Sequence, residues 1–251
     1  MGAVVPRLSL IVIARNEEAA IGRCLGSAAF ADEIVVVDND STDKTLDIAR
    51  SFRAKVIKAP DWPGFGLQKN RALKAATGDW VLSLDADEWV GPALSAAIKR
   101  VLADPDAADG YEMPRRSRFR GKVVRHGGWW PDHVLRLFRR EHGRFSDDAV
   151  HERLIVDGRV ERLRAPIDHD AIADAADARE KANRYAAIAA VELARKGARS
   201  NWLVALGHAA WAFINTYFVR VGFLDGRAGL GVALYNTRYT WQKWWRLASR
   251  R

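Results

Sequence analysis

Cysteine is almost missing from this chain, with Cys24 the only one. An internal disulfide is therefore excluded, and a reducing compartment fits. Cys24 falls on the apolar side of an expected helix, which reads as a buried structural thiol rather than a nucleophile. Glycine is absent from the turn after the first apolar run, where ARNEEA follows strand-like LSLIVIA. The G-x-G-x-x-G of a nicotinamide dinucleotide fold is thus lacking, and no G-x-x-x-x-G-K-[ST] occurs to support P-loop phosphoryl transfer. No Cys/His cluster is spaced to bind zinc. The opening MGAVVPRLSLIVIARNEE lacks the ordered regions of a signal peptide, so none is expected. Acid is scarce over the C-terminal tail. Residues 195–251 hold ten Lys/Arg against a single acid, Asp225, while the first 194 balance at 30 basic and 30 acidic. The whole net charge of +9 lies in that tail, with five of the ten tryptophans. Such asymmetry points to a polyanionic partner, a membrane surface or a nucleic acid.

What is present begins with apolar, β-branched runs. Leu8–Ala14 and Glu33–Val37 read as strands covered on both faces, with a short strand at Lys55–Lys58 and another at Trp80–Leu84. Helical patterns lie between them: one capped by Asn16, one opened by Ser41 or Thr42, and Leu67–Ala76, with Pro92–Leu102 following the fourth strand. This alternation predicts an α/β fold with a mostly parallel, Rossmann-like sheet. After Asp109 the pattern changes to strands at Tyr111–Arg116 and Val134–Phe138, around a basic, aromatic loop. Helices are expected over Ala171–Lys196, Trp202–Val219 and Gly229–Leu247. The expected organisation is a catalytic domain over 1–170, split into halves 1–109 and 110–170, and a helical extension over 171–251.

Ligands of parallel sheets bind beyond the carboxyl ends of the strands. That rule sets Ala14, Asn16 and Glu17, then Asp38, then Asp85, Ala86 and Asp87 along one edge. Three carboxylates within Asp85–Glu88 repel one another unless they hold a cation or handle protons. Asp38 is able to accept from a base or ribose, and Asp85 and Asp87 to share a sugar and a divalent cation on a diphosphate. Lys69 is placed with them as a donor contact, with decoration of a helix surface as its alternative.

The series LSLIVIARNEE, EIVVVDNDSTDKT and GFGLQKNRALKAATGDWVLSLDADE resembles the nucleotide-sugar half of family 2 glycosyltransferases, whose fold is called GT-A. RHGGWWPDHVLRLFRR and FSDDAVHERL resemble a bacterial subgroup that adds glucose to the inner core of lipopolysaccharide. The resemblance implies that Asp85-Ala86-Asp87 is the aspartate-x-aspartate signature and that Asp38 contacts uridine. It implies an inverting transfer, with UDP-glucose as donor and a lipid-linked glycan as acceptor. The turn departs from the family's usual glycine-bearing form, reading Asp38-Asn39-Asp40-Ser41, so Asp40 is expected to adopt a left-handed backbone. The family's usual Glu-Asp catalytic pair is missing, and His151-Glu152 is its nearest stand-in.

The general base is thus Glu152, with Asp132, Asp147 and Asp148 as rivals. Mg²⁺ or Mn²⁺ suits an oxygen-rich rim, with Asp87 as ligand and His151 and His169 as further candidates. A non-catalytic nucleotide- or glycan-binding module is the alternative function. Trp202–Val219 approaches spanning length but carries Gly207, His208, Asn215 and Thr216. The tail's mix of basic and aromatic residues fits the headgroup layer better than nucleic acid, giving a peripheral protein on the cytoplasmic side of a bacterial inner membrane.

Overall fold

The computed structural model describes residues 6–146 and 152–249. The chain forms two compact units, Met1–Arg115 with His133–His169, and Arg116–Asp132 with Asp170–Arg251.

In the first unit, β1 (Leu8–Ala14), β2 (Glu33–Asp38), β3 (Lys55–Lys58) and β4 (Trp80–Asp85) pair in parallel in the order β3-β2-β1-β4. Alternate residues of β1 serve opposite faces, as a two-residue side-chain period requires. Leu8, Leu10 and Val12 pack with Ile21 and Leu25 of α1 (Ile21–Ser27) and with Leu94 and Ile98 of the helix Pro92–Ala103. Ile11 packs on the other face with Val35, Val37, Val81 and Phe138, under Ala72 of the helix Phe65–Ala75. In chain order these helices are α1, α2 (Thr45–Ser51), α3 (Phe65–Ala75) and α4 (Pro92–Ala103). Both faces of the strands are covered, which explains their lack of polar alternation.

Further strands follow, which sequence patterning covers less well. β5 (Glu88–Val90) is followed by β6 (Gly110–Phe119), β7 (Lys122–Val123), β8 (Asp132–Arg139), β9 (Gly143–Phe145), β10 (Leu154–Val156), β11 (Val160–Arg162) and β12 (Ile167–Ile172). They extend this sheet, except β9 and β10, which pair in a separate two-stranded sheet. β8 runs antiparallel to β4, and β5 pairs antiparallel with β12 through Glu88↔His169. The helix expected from Ala171 starts only at Ala175, because β12 runs to Ile172 and Asp174 caps the helix through the N–H groups of Ala176 and Asp177.

Two expected helix starts move for one reason. α1 begins at Ile21 and α2 at Thr45, neither with a side-chain cap. Asn16 instead accepts from Thr42 N–H at 2.8 Å, while Ser41 Oγ accepts from Asn16 N–H at 3.0 Å. Thr45 Oγ1 accepts from Glu17 N–H at 2.7 Å. Small polar side chains that bond backbone groups outside their own helix leave it uncapped. Here they tie the loop after β1 to the loop after β2.

In the second unit, α7 (Gly226–Ala248) packs against both α5 (Ala175–Arg195) and α6 (Trp202–Ile214). α6 passes into a π-helical turn, Asn215–Val219, and a 3₁₀ turn, Gly222–Asp225. Asp225 accepts from the N–H groups of Arg125 and His126, and lies 2.9 Å from His126 Nδ1. The tail's single acid is therefore spent on holding the distant Arg125–His126 loop. Trp202, Leu203, Leu206, Trp211, Phe218 and Val219 stand more than half exposed along α6 and the π turn.

Candidate active site

Register places the first unit's acidic residues. Ala14 lies opposite Asp38, and Ile13 opposite Asp85, so both aspartates end strands flanking β1. Two strand spacings separate them, roughly 10 Å. Asp38 is 2% exposed, and its Oδ2 accepts from Ser41 N–H at 3.2 Å. Its Oδ1 is buried with no hydrogen-bond partner among the described residues. A buried acceptor in that state calls for an explanation. Asp40 next to it takes φ 58°, the left-handed backbone expected where the family usually has glycine. Asn39 fastens the other wall by donating to the carbonyls of Ala59 and Asp61.

Asp85 sits in a charge network. Lys69 Nζ lies 2.9 Å from Asp85 Oδ1, and Arg136 Nη2 bonds Asp85 Oδ2. Arg136 also donates to Glu88 Oε1 at 2.7 Å, and Glu88 Oε2 accepts from Asp85 N–H at 3.0 Å. Arg115 stands 3.6 Å from the same Glu88, which is wholly buried. Burial opposes the Asp85 charge, but Arg136 and then Lys69 outweigh it and hold the carboxyl well below the usual carboxylate range. Burial likewise opposes the charge of Lys69, and Asp85 more than offsets it, so the ammonium stays protonated. Both oxygens of Asp85 are occupied by cations. The network makes it a fixed anionic wall.

Lys69 reaches further. Its Nζ is also 2.9 Å from Glu152 Oε1, and its side chain is 3% exposed. Of its two sequence readings, helix decoration is ruled out by this burial; Arg71 decorates instead, paired to Asp61 at the surface. α3 approaches Glu152 closely because residue 66 is glycine. A Cβ there would collide with the carbonyl oxygen of Ser146 and stand 3.3 Å from Glu152 Cβ.

Asp87 lies one turn past β4, its Oδ2 3.6 Å from His169 Nε2 on β12. A carboxylate oxygen and an imidazole nitrogen this close form one side of a donor set suited to Mn²⁺, less so to Mg²⁺. Among the described residues no group of three or more His, Cys, Asp or Glu could hold an ion. A cation here would take further oxygens from substrate and water. The residues fit one on those terms.

Of the other expected site residues, Ala14 and Ala86 are buried at the strand ends and shape the floor. Asn16 and Glu17 sit on the rim, their backbone N–H groups used by the neighbouring loop. Asp132 belongs to the second unit. Asp147, Asp148 and His151 lie outside the described residues. Sequence reasoning missed Glu88 as a buried partner, and Arg136. The signal for Arg136 was there: a charge inside the apolar strand run VLRLF. Lone charges at such positions are almost never buried unpaired.

The family described as "Glycosyl transferase family 2" matches residues 9–155. An uncharacterised glycosyltransferase of Rickettsia typhi is 30% identical over 236 residues, 89% of this chain and 80% of the relative. A lipopolysaccharide core biosynthesis glycosyltransferase of Rhizobium meliloti, LpsC, is 34% identical over 168 residues, 62% of this chain and 60% of the relative. Among solved structures, a mannosyltransferase from Pyrobaculum calidifontis in complex with GDP-mannose and Mn²⁺ superposes with a TM-score of 0.56. It shares 18% identity and covers 97% of this chain and 88% of that one. The fold expected from sequence, GT-A with a helical C-terminal region, is the fold found.

Proposed function

The chain belongs to glycosyl transferase family 2, and we propose that it moves a hexose from a UDP-sugar to a lipid-linked saccharide, with inversion at the anomeric carbon. One observation carries this reading: Asp85 on the donor side and Glu152, the candidate base, meet on one buried ammonium beyond the strand ends. A nucleotide-binding module without turnover needs no carboxylate placed beside the donor wall.

In this reading Asp38 Oδ1 accepts from the uracil or ribose, which supplies the partner that the buried oxygen lacks. Asp85, locked by Lys69 and Arg136, holds donor hydroxyls. Asp87 and His169 would hold Mg²⁺ or Mn²⁺, which would supply charge neutralisation at the departing diphosphate. Glu152 takes the proton of the acceptor hydroxyl as its oxygen bonds the anomeric carbon and the bond to the nucleoside diphosphate breaks. Lys69 orients Glu152 for that transfer. Asp132 and Asp148 are the rival bases.

Glucose as the sugar and a lipopolysaccharide core as acceptor rest on the sequence resemblance and on the likeness to LpsC. In this assignment residues 1–170 are the catalytic domain, 1–109 its donor half and 110–170 its acceptor half. Residues 171–251 are the membrane-associating extension, on the cytoplasmic side, where nucleotide sugars are available. The exposed apolar row of α6 and the π turn supports a surface helix, with the tail's basic residues meeting anionic headgroups. Trp202–Val219 is also long and apolar enough to cross a membrane by length and composition. The polar Asn215 and Thr216 and the π turn favour the in-plane arrangement. The deciding experiment supplies UDP-, GDP- and dTDP-sugars with Mn²⁺ and a lipopolysaccharide core acceptor, and measures free nucleoside diphosphate. Acceptor-dependent release from a UDP-hexose supports the reading; tight nucleotide binding without release from any donor defeats it.

A further inference from the structure

The helical unit carries an open groove of ≈ 670 Å³ between α5 and α7, lined by Ala187, Arg238, Trp241, Gln242, Trp245 and Arg246. Its origin is a mismatch of side-chain volumes. α5 presents small residues to α7, with Ala182, Ala186 and Ala190 wholly buried at the seam. Alanines let two helices approach closely but leave nothing to fill the space beside large neighbours. Ala187 thereby becomes one wall of a trough beneath two tryptophans. A volume of this order is that of a small-molecule site.

The chemistry of the lining is specific. Trp241 and Trp245 stack with centroids 5.5 Å apart and planes 11° from parallel, and Trp245 is 45% exposed. Arg238, Gln242 and Arg246 follow at four-residue intervals, so they share one helix face. About 12 Å of helix axis separates the two arginines. Both are exposed, and neither has a carboxylate partner among the described residues. Gln242 Oε1 is buried without a hydrogen-bond partner. An aromatic platform takes the C–H face of a pyranose, a buried amide oxygen takes a hydroxyl, and guanidinium forks take phosphate or carboxylate.

We infer that this groove is a binding site for an anionic saccharide, one that carries phosphate or carboxylate groups. It lies wholly within the helical unit and does not depend on the donor crevice. A single-stranded nucleic acid would call for successive stacking platforms along a longer groove, whereas here there is one stacked pair. An apolar lipid surface matches the α6 face, not a recess ending in two arginines.

The test is saturation-transfer NMR on the full chain, with chelator present and no nucleotide. Glucose 6-phosphate, glucuronate and glucose are the probes, with inorganic phosphate followed by ³¹P line broadening. The two anionic sugars are expected to bind saturably, at least tenfold tighter than glucose or phosphate alone. Arg238→Gln with Arg246→Gln should remove the preference for anionic sugars, and Trp245→Ala should remove sugar binding. Ala187→Leu fills the trough without touching a charge or a ring, and it should abolish binding while circular dichroism stays unchanged. Equal binding by wild type and Ala187→Leu overturns the site. So does phosphate binding as tightly as the sugar phosphate, which marks a plain anion site. If these variants lose only co-sedimentation with phosphatidylglycerol vesicles, the groove contacts headgroups and the inference is wrong.

Discussion

Asp85 and Glu152 are held by the same ammonium, Lys69 Nζ, at 2.9 Å from each. The proposed donor contact and the candidate base are thus bridged by one side chain of α3. A methionine at 69 keeps the stem and removes the charge. Lys69→Met is expected to lower kcat by about 10²–10³-fold, the usual cost of losing a preorganised charge. Glu152→Gln should lower kcat as strongly while donor Kd, read by titration with UDP, stays within twofold. A Glu152→Gln rate equal to wild type transfers the base role to Asp132 or Asp148.

The metal reading separates Asp87 from Asp85. Asp87→Asn is expected to remove most activity, about 10²–10³-fold, and His169→Ala to raise the Mn²⁺ concentration for half-maximal rate by roughly 10–100-fold. Full activity in excess chelator contradicts both. An unchanged Mn²⁺ requirement in His169→Ala leaves that histidine as an ion-pair partner of Asp87 alone.

Asp38 makes a prediction about base recognition. Loss of its acceptor in Asp38→Ala should cost about 1–3 kcal/mol of donor binding, roughly five- to 150-fold in KM for the UDP-sugar. With Asp38 on the uracil ring, Asp38→Ala should leave discrimination between UDP- and dTDP-sugars nearly unchanged, because both rings offer the same N–H; a loss of that discrimination assigns Asp38 to the ribose. Unaltered donor KM removes Asp38 from the nucleotide site.

Arg136 ties acid stability to the site. With it present, Asp85 titrates far below its unfolded value, so this stabilisation is complete above about pH 4 and fades only as pH falls further. Without it, Asp85 and Glu88 are left with one fewer cation. Arg136→Met should cost about 3–5 kcal/mol near neutrality. Burial opposes the Asp85 charge and Arg136 does most to outweigh it, so the gap between wild type and variant should narrow as pH falls below about 4. Urea midpoints at four pH values test the sign; a gap that stays constant or widens in acid contradicts it.

The proposed membrane contact is testable on the exposed row of α6. Trp211→Asp with Phe218→Asp, both on the exposed row, should cut co-sedimentation with phosphatidylglycerol vesicles by at least tenfold, and salt should weaken the wild type. Each Lys or Arg near an anionic surface adds on the order of 1 kcal/mol. Binding that survives the double substitution moves the contact to α7.

What the sequence made legible was whatever a strand end exposes directly. Asp38 and Asp85 follow apolar runs, and a parallel sheet leaves them one place to be. Arg136 and Glu88 were harder to read, because their pairing joins β8 to the start of β5 across a chain separation that local patterning does not span. Asn16 and Ser41 carried the right signal for the wrong partner: both bond backbone, as cap residues do, but each bonds the other's loop. The short strands β9, β10 and β11 hold three residues each, too few for any period to register.

Gly66 has no chemistry of its own, yet it sets a tolerance. The backbone of α3 comes against Ser146 with only a hydrogen between them, and Glu152 Cβ stands just beyond. A methyl group there would push the segment carrying the candidate base away from the helix carrying Lys69, stretching an ion pair that has no slack. Gly66→Ala would thus act as a wedge, leaving every reactive group intact and out of reach of its neighbour. An enzyme built this way can be disabled by the smallest possible side chain at a position no chemical criterion would select.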